Sequence, residues 1–251
     1  MGVMPNASTA ALLWFNVTAQ LGCGDASSDS ASVLSCMRTK DTADITKVIS
    51  TVSSFTPYID GVTTFSDYQQ RSLAGNLIKK PMLIGYDDRE SGMFDITSRM
   101  SGVTLPQAYW DVFDLQGFFC PAAIRANASV YNDVPVWRYR YFGVFENMQL
   151  SSTIDAGAWH GVEINQIFDT VPKGEGIPAS TKAEVALGKY MRRAWATFAK
   201  DPARGLKLYG WPQFDPAKKT LIRLGWENTT GLNVASPQEY DAACGSPFPI
   251  D

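Results

Sequence analysis

The 251 residues predict an α/β architecture with a largely parallel sheet, on three observations. Short apolar runs that read as strands are spread along the chain. Segments with helical spacing separate them, and the longest helical pattern falls between the last two strands. That alternation is the signature of parallel strands joined by helical crossovers.

Taken in order, Ser8 to Leu21 has helical spacing, with Ala11, Leu12, Phe15 and Ala19 on one stripe. A polar loop between Cys23 and Cys36 follows, and Asp41 to Thr51 gives a second short helix. Lys80 to Gly85 is an apolar run closed by glycine and acids, the pattern of a buried strand ending in a loop. Thr97 to Tyr131 holds mixed helical material, and Val134 to Phe142 alternates and is rich in aromatics, a second strand. Ala183 to Lys200 is the strongest helix. Thr181 and Glu184 form a capping box, Asp201-Pro202 ends it, and Leu187, Met191, Ala194, Trp195 and Phe198 form a stripe read as core packing. Thr220 to Leu224 is the last short strand. No repeat or linker divides the chain, so residues 1–251 are read as one unit.

Composition narrows the chemistry. The chain is 45% apolar, enough for a sizeable core, and its 25 acidic and 22 basic residues give a net charge of −3. With no Lys/Arg run, a nucleic-acid partner has no electrostatic support. No apolar stretch has the length of a membrane helix. A single histidine, His160, must carry any imidazole chemistry.

Compartment signals conflict. The start, Met1-Gly2-Val3-Met4-Pro5, has no basic or apolar leader region, and Asn6 breaks a myristoylation pattern. Yet Asn6, Asn16, Asn127 and Asn228 all stand in glycosylation sequons. Four cysteines, Cys23, Cys36, Cys120 and Cys244, allow three pairings. Cys23 and Cys36 flank a polar loop suited to a bridge worth about 3 kcal/mol. Without a C-x-x-C pair, and with one histidine, a zinc site is not expected. These features point to an extracellular protein whose beginning lies elsewhere.

Two segments could carry chemistry. Gly85-Tyr-Asp-Asp-Arg-Glu-Ser-Gly92 places acids at the carboxyl end of a strand, where α/β folds gather catalytic groups. Gly157-Ala-Trp-His-Gly-Val-Glu163 puts His160 in a loop before a helical pattern, Val162 to Phe168. His160 and Glu163 have metal-pair spacing, but no third ligand is evident. An acid after one strand and a histidine after the next follow the chain order Ser…Asp/Glu…His of an α/β-hydrolase triad.

With those segments in place, the sequence resembles the C-terminal part of the type B carboxylesterase/lipase family, the cholinesterase-like α/β-hydrolases, fungal members above all. The resemblance runs through Leu21-Gly-Cys23…Val33-Leu-Ser-Cys36, Phe55-Thr-Pro-Tyr-Ile-Asp-Gly61 and Lys80 to Phe94. It continues in Ala158-Trp-His-Gly-Val-Glu-Ile164, Trp195-Ala-Thr-Phe-Ala-Lys200 and Tyr209-Gly-Trp-Pro212. It implies a partial α/β-hydrolase fold, an incomplete domain over 1–251, with Glu90 as the triad acid and His160 as the base. It further implies a bridge between Cys120 and Cys244, a secreted parent, a small-molecule or lipid ester as substrate, and no cofactor. The chain departs from the family's Asp-Glu-Gly by having Arg89 before Glu90 and Ser91 after it.

The nucleophile elbow G-x-S-x-G occurs nowhere, and the oxyanion loop of the family is missing too. Without them no acyl-enzyme forms, so the chain alone is expected not to hydrolyse esters, and the strand at 80–85 is expected to keep an unpaired edge. The competing expectation is a non-catalytic, cholinesterase-like adhesion module, which has no need of an acid–imidazole pair. Trp159, Phe118 and Phe119 are expected in the core or along an apolar gorge. The preferred ester stays open.

Overall fold

Each element begins where the sequence offers a cap or a break. The computed structural model describes residues 5–52, 55–245 and 248. It distinguishes two units, Met1–Tyr68 and Gln69–Asp251, described here separately.

In the first unit, α1 (Ala7–Gln20), α2 (Ser30–Met37) and α3 (Thr42–Ile49) each start on a short polar side chain. Asn6 accepts the Thr9 N–H, Asp29 the Ser32 N–H and Asp41 the Ala43 N–H, so every helix has one orphan donor satisfied. The Cys23–Cys36 disulfide is formed. The segment between its cysteines is only half a loop, because the Asp29 cap starts α2 seven residues before Cys36. Val17, Val33 and Met37 pack with Trp14, Ile45 and Val48 into a small core. In the Phe55-to-Gly61 motif, the Asp60 carboxylate accepts the N–H groups of Val62, Thr63 and Thr64 and the Thr63 hydroxyl, folding a tight turn.

The second unit is built on a four-stranded sheet in the order β1 (Met82–Asp87), β2 (Val136–Tyr141), β3 (Leu221–Leu224) and β4 (Val234–Ala235). The first three strands run parallel, with Met82 opposite Val136, Asp87 opposite Tyr141 and Tyr139 opposite Ile222; β4 is antiparallel to β3. The predicted strand at 80–85 therefore shifts. Pro81 has no N–H to give, so pairing begins at Met82, and the register with β2 carries the strand through Gly85, Tyr86 and Asp87. Asp87 is thus a strand residue, while Asp88, Arg89 and Glu90 form the turn beyond it. Among the described residues, β1 pairs only with β2, leaving its other edge open.

Helices fill the crossovers. Between β1 and β2 lie α5 (Gly92–Met100), α6 (Gln107–Asp114), a π-helical turn at Leu115–Phe119, and α7 (Cys120–Tyr131); the short α4 (Tyr68–Leu73) precedes β1. Between β2 and β3 lie α8 (Val162–Phe168), α9 (Lys182–Lys200) and α10 (Gly205–Leu208), and α11 (Gln238–Asp241) follows β4. The capping box at Thr181 and Glu184 is formed. Leu187, Met191 and Ala194 of α9 pack without solvent exposure against Trp137, Tyr139, Ile222 and Leu224 of the sheet. The stripe is core, as its spacing implies.

β2 is buried along its whole length, including two arginines. Arg138 is paired with Asp241 of α11 and donates to the Tyr86 hydroxyl at 3.1 Å. Arg140 donates to Asp88 at 2.7 Å with its guanidinium 4.4 Å from the Phe119 ring centre. The Cys120–Cys244 disulfide joins α7 to the segment after α11. Asn6, Asn16 and Asn228 are exposed, whereas Asn127 lies inside α7 at 8% exposure. No helix among the described residues is long and apolar enough to cross a membrane.

Candidate active site

The turn after β1 and the loop before α8 meet at one pair of side chains. Glu90 is 3% exposed and uses both carboxylate oxygens. Oε1 accepts the Asp87 N–H at 2.8 Å, and Oε2 lies 2.6 Å from His160 Nδ1. Burial pushes the Glu90 carboxyl above the usual carboxylate range, opposed by the Asp87 N–H and by His160. With Glu90 ionised, Nδ1 must be the donor, which leaves the Nε2 lone pair free as a proton acceptor. The His160 side chain is 44% exposed, so the imidazole reaches the surface from a buried acid.

Several contacts hold the two segments in register. The Arg89 N–H donates to the Ala158 carbonyl at 3.0 Å, and the Arg89 guanidinium reaches the Asp155 carbonyl at 2.7 Å. Gly92 lies so close that a Cβ there would strike the Ala156 carbonyl, so glycine is required at the first residue of α5. Gly161, at φ +83°, turns the loop into α8 and donates its N–H to Asp87 Oδ2 at 2.8 Å.

The neighbouring acids have other partners. Asp88 is engaged by Arg140, and Asp87 by Gly161 and the Glu163 carboxyl. Burial first, then the charge of Glu163, pushes Asp87 well above the usual range. Ser91 is 1% exposed and gives both its N–H and its hydroxyl to Asp114, at 2.6 and 2.9 Å. It is therefore a structural hydroxyl.

The three aromatics named from the sequence separate. Phe118 flanks the imidazole, with ring centres 5.1 Å apart, and Phe94 flanks it at 5.5 Å; Phe113 touches both phenyl rings. Trp159 packs on the core and donates its indole N–H to the Met148 carbonyl at 2.9 Å. Phe119 stacks on Tyr86 at 4.6 Å. So Phe118 lines the site, while Trp159 and Phe119 support the scaffold. Sequence reasoning missed Phe94 and Phe113, and it weighed the His160–Glu163 spacing as a metal pair without a third ligand. No group of three or more metal-ligating side chains occurs among the described residues.

No protein-family model matches the chain. Secreted lipase 5 of Gibberella zeae is 28% identical over 205 residues, 76% of this chain and 37% of that protein. Chlorogenic acid esterase of Aspergillus niger is 27% identical over 222 residues, 80% of this chain and 42% of that protein. The chain thus spans about two fifths of the curated relatives it matches. A PNB esterase structure superposes with a TM-score of 0.70 at 18% identity, covering 96% of this chain and 55% of the other. The juvenile hormone esterase of Manduca sexta gives 0.69 at 15% identity, covering 93% and 54%.

The chain has part of an α/β-hydrolase fold. Its resemblance to the type B carboxylesterases and lipases holds, because two fungal relatives and the esterase structures point the same way. The Glu90–His160 contact lies just beyond the carboxyl end of β1, the edge at which open α/β sheets bind ligands.

Proposed function

We propose that the chain carries the acid and the base of a serine carboxylic-ester hydrolase. The observation that carries this reading is the contact of Glu90 Oε2 with His160 Nδ1 at 2.6 Å, which joins a buried acid to an exposed imidazole. In that chemistry Glu90 orients the imidazole and stabilises its protonated form. His160 Nε2 takes the proton of a serine hydroxyl as the hydroxyl attacks the ester carbonyl, then returns it to the leaving alcohol. A second cycle with water releases the acid.

The serine itself is not among these 251 residues in an elbow motif, and Ser91 is committed to Asp114. The nucleophile and oxyanion donors are therefore assigned to a segment outside this sequence. Alone, the chain is inactive. A retained acid–imidazole pair speaks for this reading over a non-catalytic adhesion module. The names of the two relatives, a secreted lipase and a chlorogenic acid esterase, support an ester substrate and an extracellular setting. The two disulfides and the exposed sequons at Asn6, Asn16 and Asn228 support the same setting.

The test is p-nitrophenyl ester hydrolysis by two polypeptides. The 251-residue chain alone should show none. A longer product, translated from the genomic reading frame upstream of Met1 and containing G-x-S-x-G, should turn the ester over and lose activity on His160→Ala. Turnover by the short chain that His160→Ala abolishes would overturn the assignment of the nucleophile. An upstream frame that is stopped or unrelated would overturn the enzyme reading.

A further inference from the structure

Beneath the Glu90–His160 pair lies a second pair of acids that the triad chemistry does not use. Asp87 is 1% exposed at the end of β1, and Glu163 projects from the first turn of α8. After burial, the Glu163 carboxyl is the strongest influence that raises the Asp87 carboxyl, so the two acids are close neighbours. Two ionised carboxylates offer only acceptors, so neighbouring acids can bond to one another only when one of them carries a proton. The remaining bonds agree. Asp87 Oδ2 accepts the Gly161 N–H, and Glu163 Oε1 faces the Tyr139 hydroxyl at 3.5 Å. The other oxygen of each, Asp87 Oδ1 and Glu163 Oε2, is buried without any other donor. One proton between the two carboxyls satisfies both.

Asp87 also bonds to Glu90 directly and to the residue that follows His160. Its N–H donates to Glu90 Oε1, and its carboxyl accepts from Gly161, the residue directly after His160. We propose that Asp87 is a positioning residue whose carboxyl, sharing one proton with Glu163, clamps the His160 loop and the start of α8 onto the end of β1. The clamp sets the distance between Glu90 and His160 without touching substrate. This inference rests on the catalytic reading above only for its purpose; the clamp itself is a property of the folded chain.

The groups facing it from each packed element are consistent with a retained proton. Glu90 comes from the turn after β1, Tyr139 and Tyr141 from β2, and Glu163 from α8. Burial keeps both tyrosines neutral, raising them well above the ordinary phenol range. Ionising both acids would set like charges side by side in a buried place.

The test uses the 251-residue chain and needs no hydrolysis. Infrared spectra at neutral pH should show one protonated-carboxyl C=O band that disappears in both Asp87→Asn and Glu163→Gln. His160 is the sole histidine, so the low-field proton of its Nδ1–H···Oε2 bond can be read by NMR without ambiguity. That resonance should persist in Asp87→Asn, whose amide oxygen still accepts from Gly161, and be lost in Asp87→Ala. A wild-type spectrum without the band, or a band that survives both substitutions, overturns the shared proton. A resonance unchanged in Asp87→Ala overturns the positioning role. Should Asp87→Ala fail to fold, amide exchange in the unmutated chain decides: a Gly161 N–H as protected as those of β1 supports the clamp, and free exchange refutes it. Absence of esterase activity in the longer polypeptide, with these signatures intact, would sink the catalytic reading and leave the clamp standing.

Discussion

Ser91 and Asp114 are joined by two hydrogen bonds in a buried setting, one from the Ser91 N–H and one from its hydroxyl. This contact gives the serine, which stands where the resembled family carries glycine, a reason to be there. Burial raises the Asp114 carboxyl, and the two Ser91 bonds work against that rise.

Ser91→Ala should therefore destabilise the second unit by about 1–3 kcal/mol, the cost of leaving a buried acceptor short of one donor. Urea unfolding followed by tryptophan fluorescence measures it. An unchanged midpoint would mean that water replaces the hydroxyl at no cost.

Asp87→Asn should raise stability at neutral pH. The folded state holds a proton on this buried acid that the unfolded chain releases, so wild-type stability falls as pH rises from the ordinary aspartate range through the higher folded value. The amide has no proton to lose. Its advantage should vanish below about pH 4, where the unfolded aspartate is protonated as well. Thermal melts of both proteins across pH 3 to 8 read the difference; a constant offset would contradict the linkage.

Breaking the Arg138–Asp241 pair by Asp241→Ala should cost about 3–5 kcal/mol, because it strands a guanidinium that has no solvent exposure. Replacing both partners with apolar residues should restore most of the loss. Calorimetry of the single and double variants separates a stranded charge from simple packing, since a packing defect would not recover.

Replacing Cys23 and Cys36 with serine should cost the first unit about 3 kcal/mol on the loop-entropy account. Hydrogen exchange should show faster opening of α1 and α2, with β2 protected as before. Equal loss of protection in β2 would show that the two units unfold together.

Much of this was legible in the sequence, for definite reasons. α9 announces itself through its capping box and stripe, and β2 through its alternating aromatics. Glu90 and His160 were singled out by strand-end position and motif, and the structure brings them into contact. What stayed hidden depends on partners distant in the chain. Periodicity cannot show that β1 runs on to Asp87, because β2 dictates that register. The helix inside the Cys23–Cys36 segment turned on the single cap at Asp29. Phe94 and Phe118 meet at the imidazole only after α5, α6 and the π-helical turn have folded back on one another. The H-x-x-E spacing did carry a signal for Glu163. Its side chain points to the Tyr139 hydroxyl, at 3.5 Å, rather than to a metal ligand set.

The Cys120–Cys244 bridge gives the molecule a lasso-like covalent outline. Residues between the two cysteines form a closed ring that contains β2, His160 and β3, while β1 and Glu90 lie on the linear arm outside it. A single protease cut inside the ring leaves the pieces tethered and holds His160 on the same covalent body as its acid. A cut between Glu90 and Cys120 severs the arm, and only noncovalent contacts then keep acid and base together. The two kinds of nick would separate on a denaturing gel run without reductant, one as an intact mass and the other as two fragments.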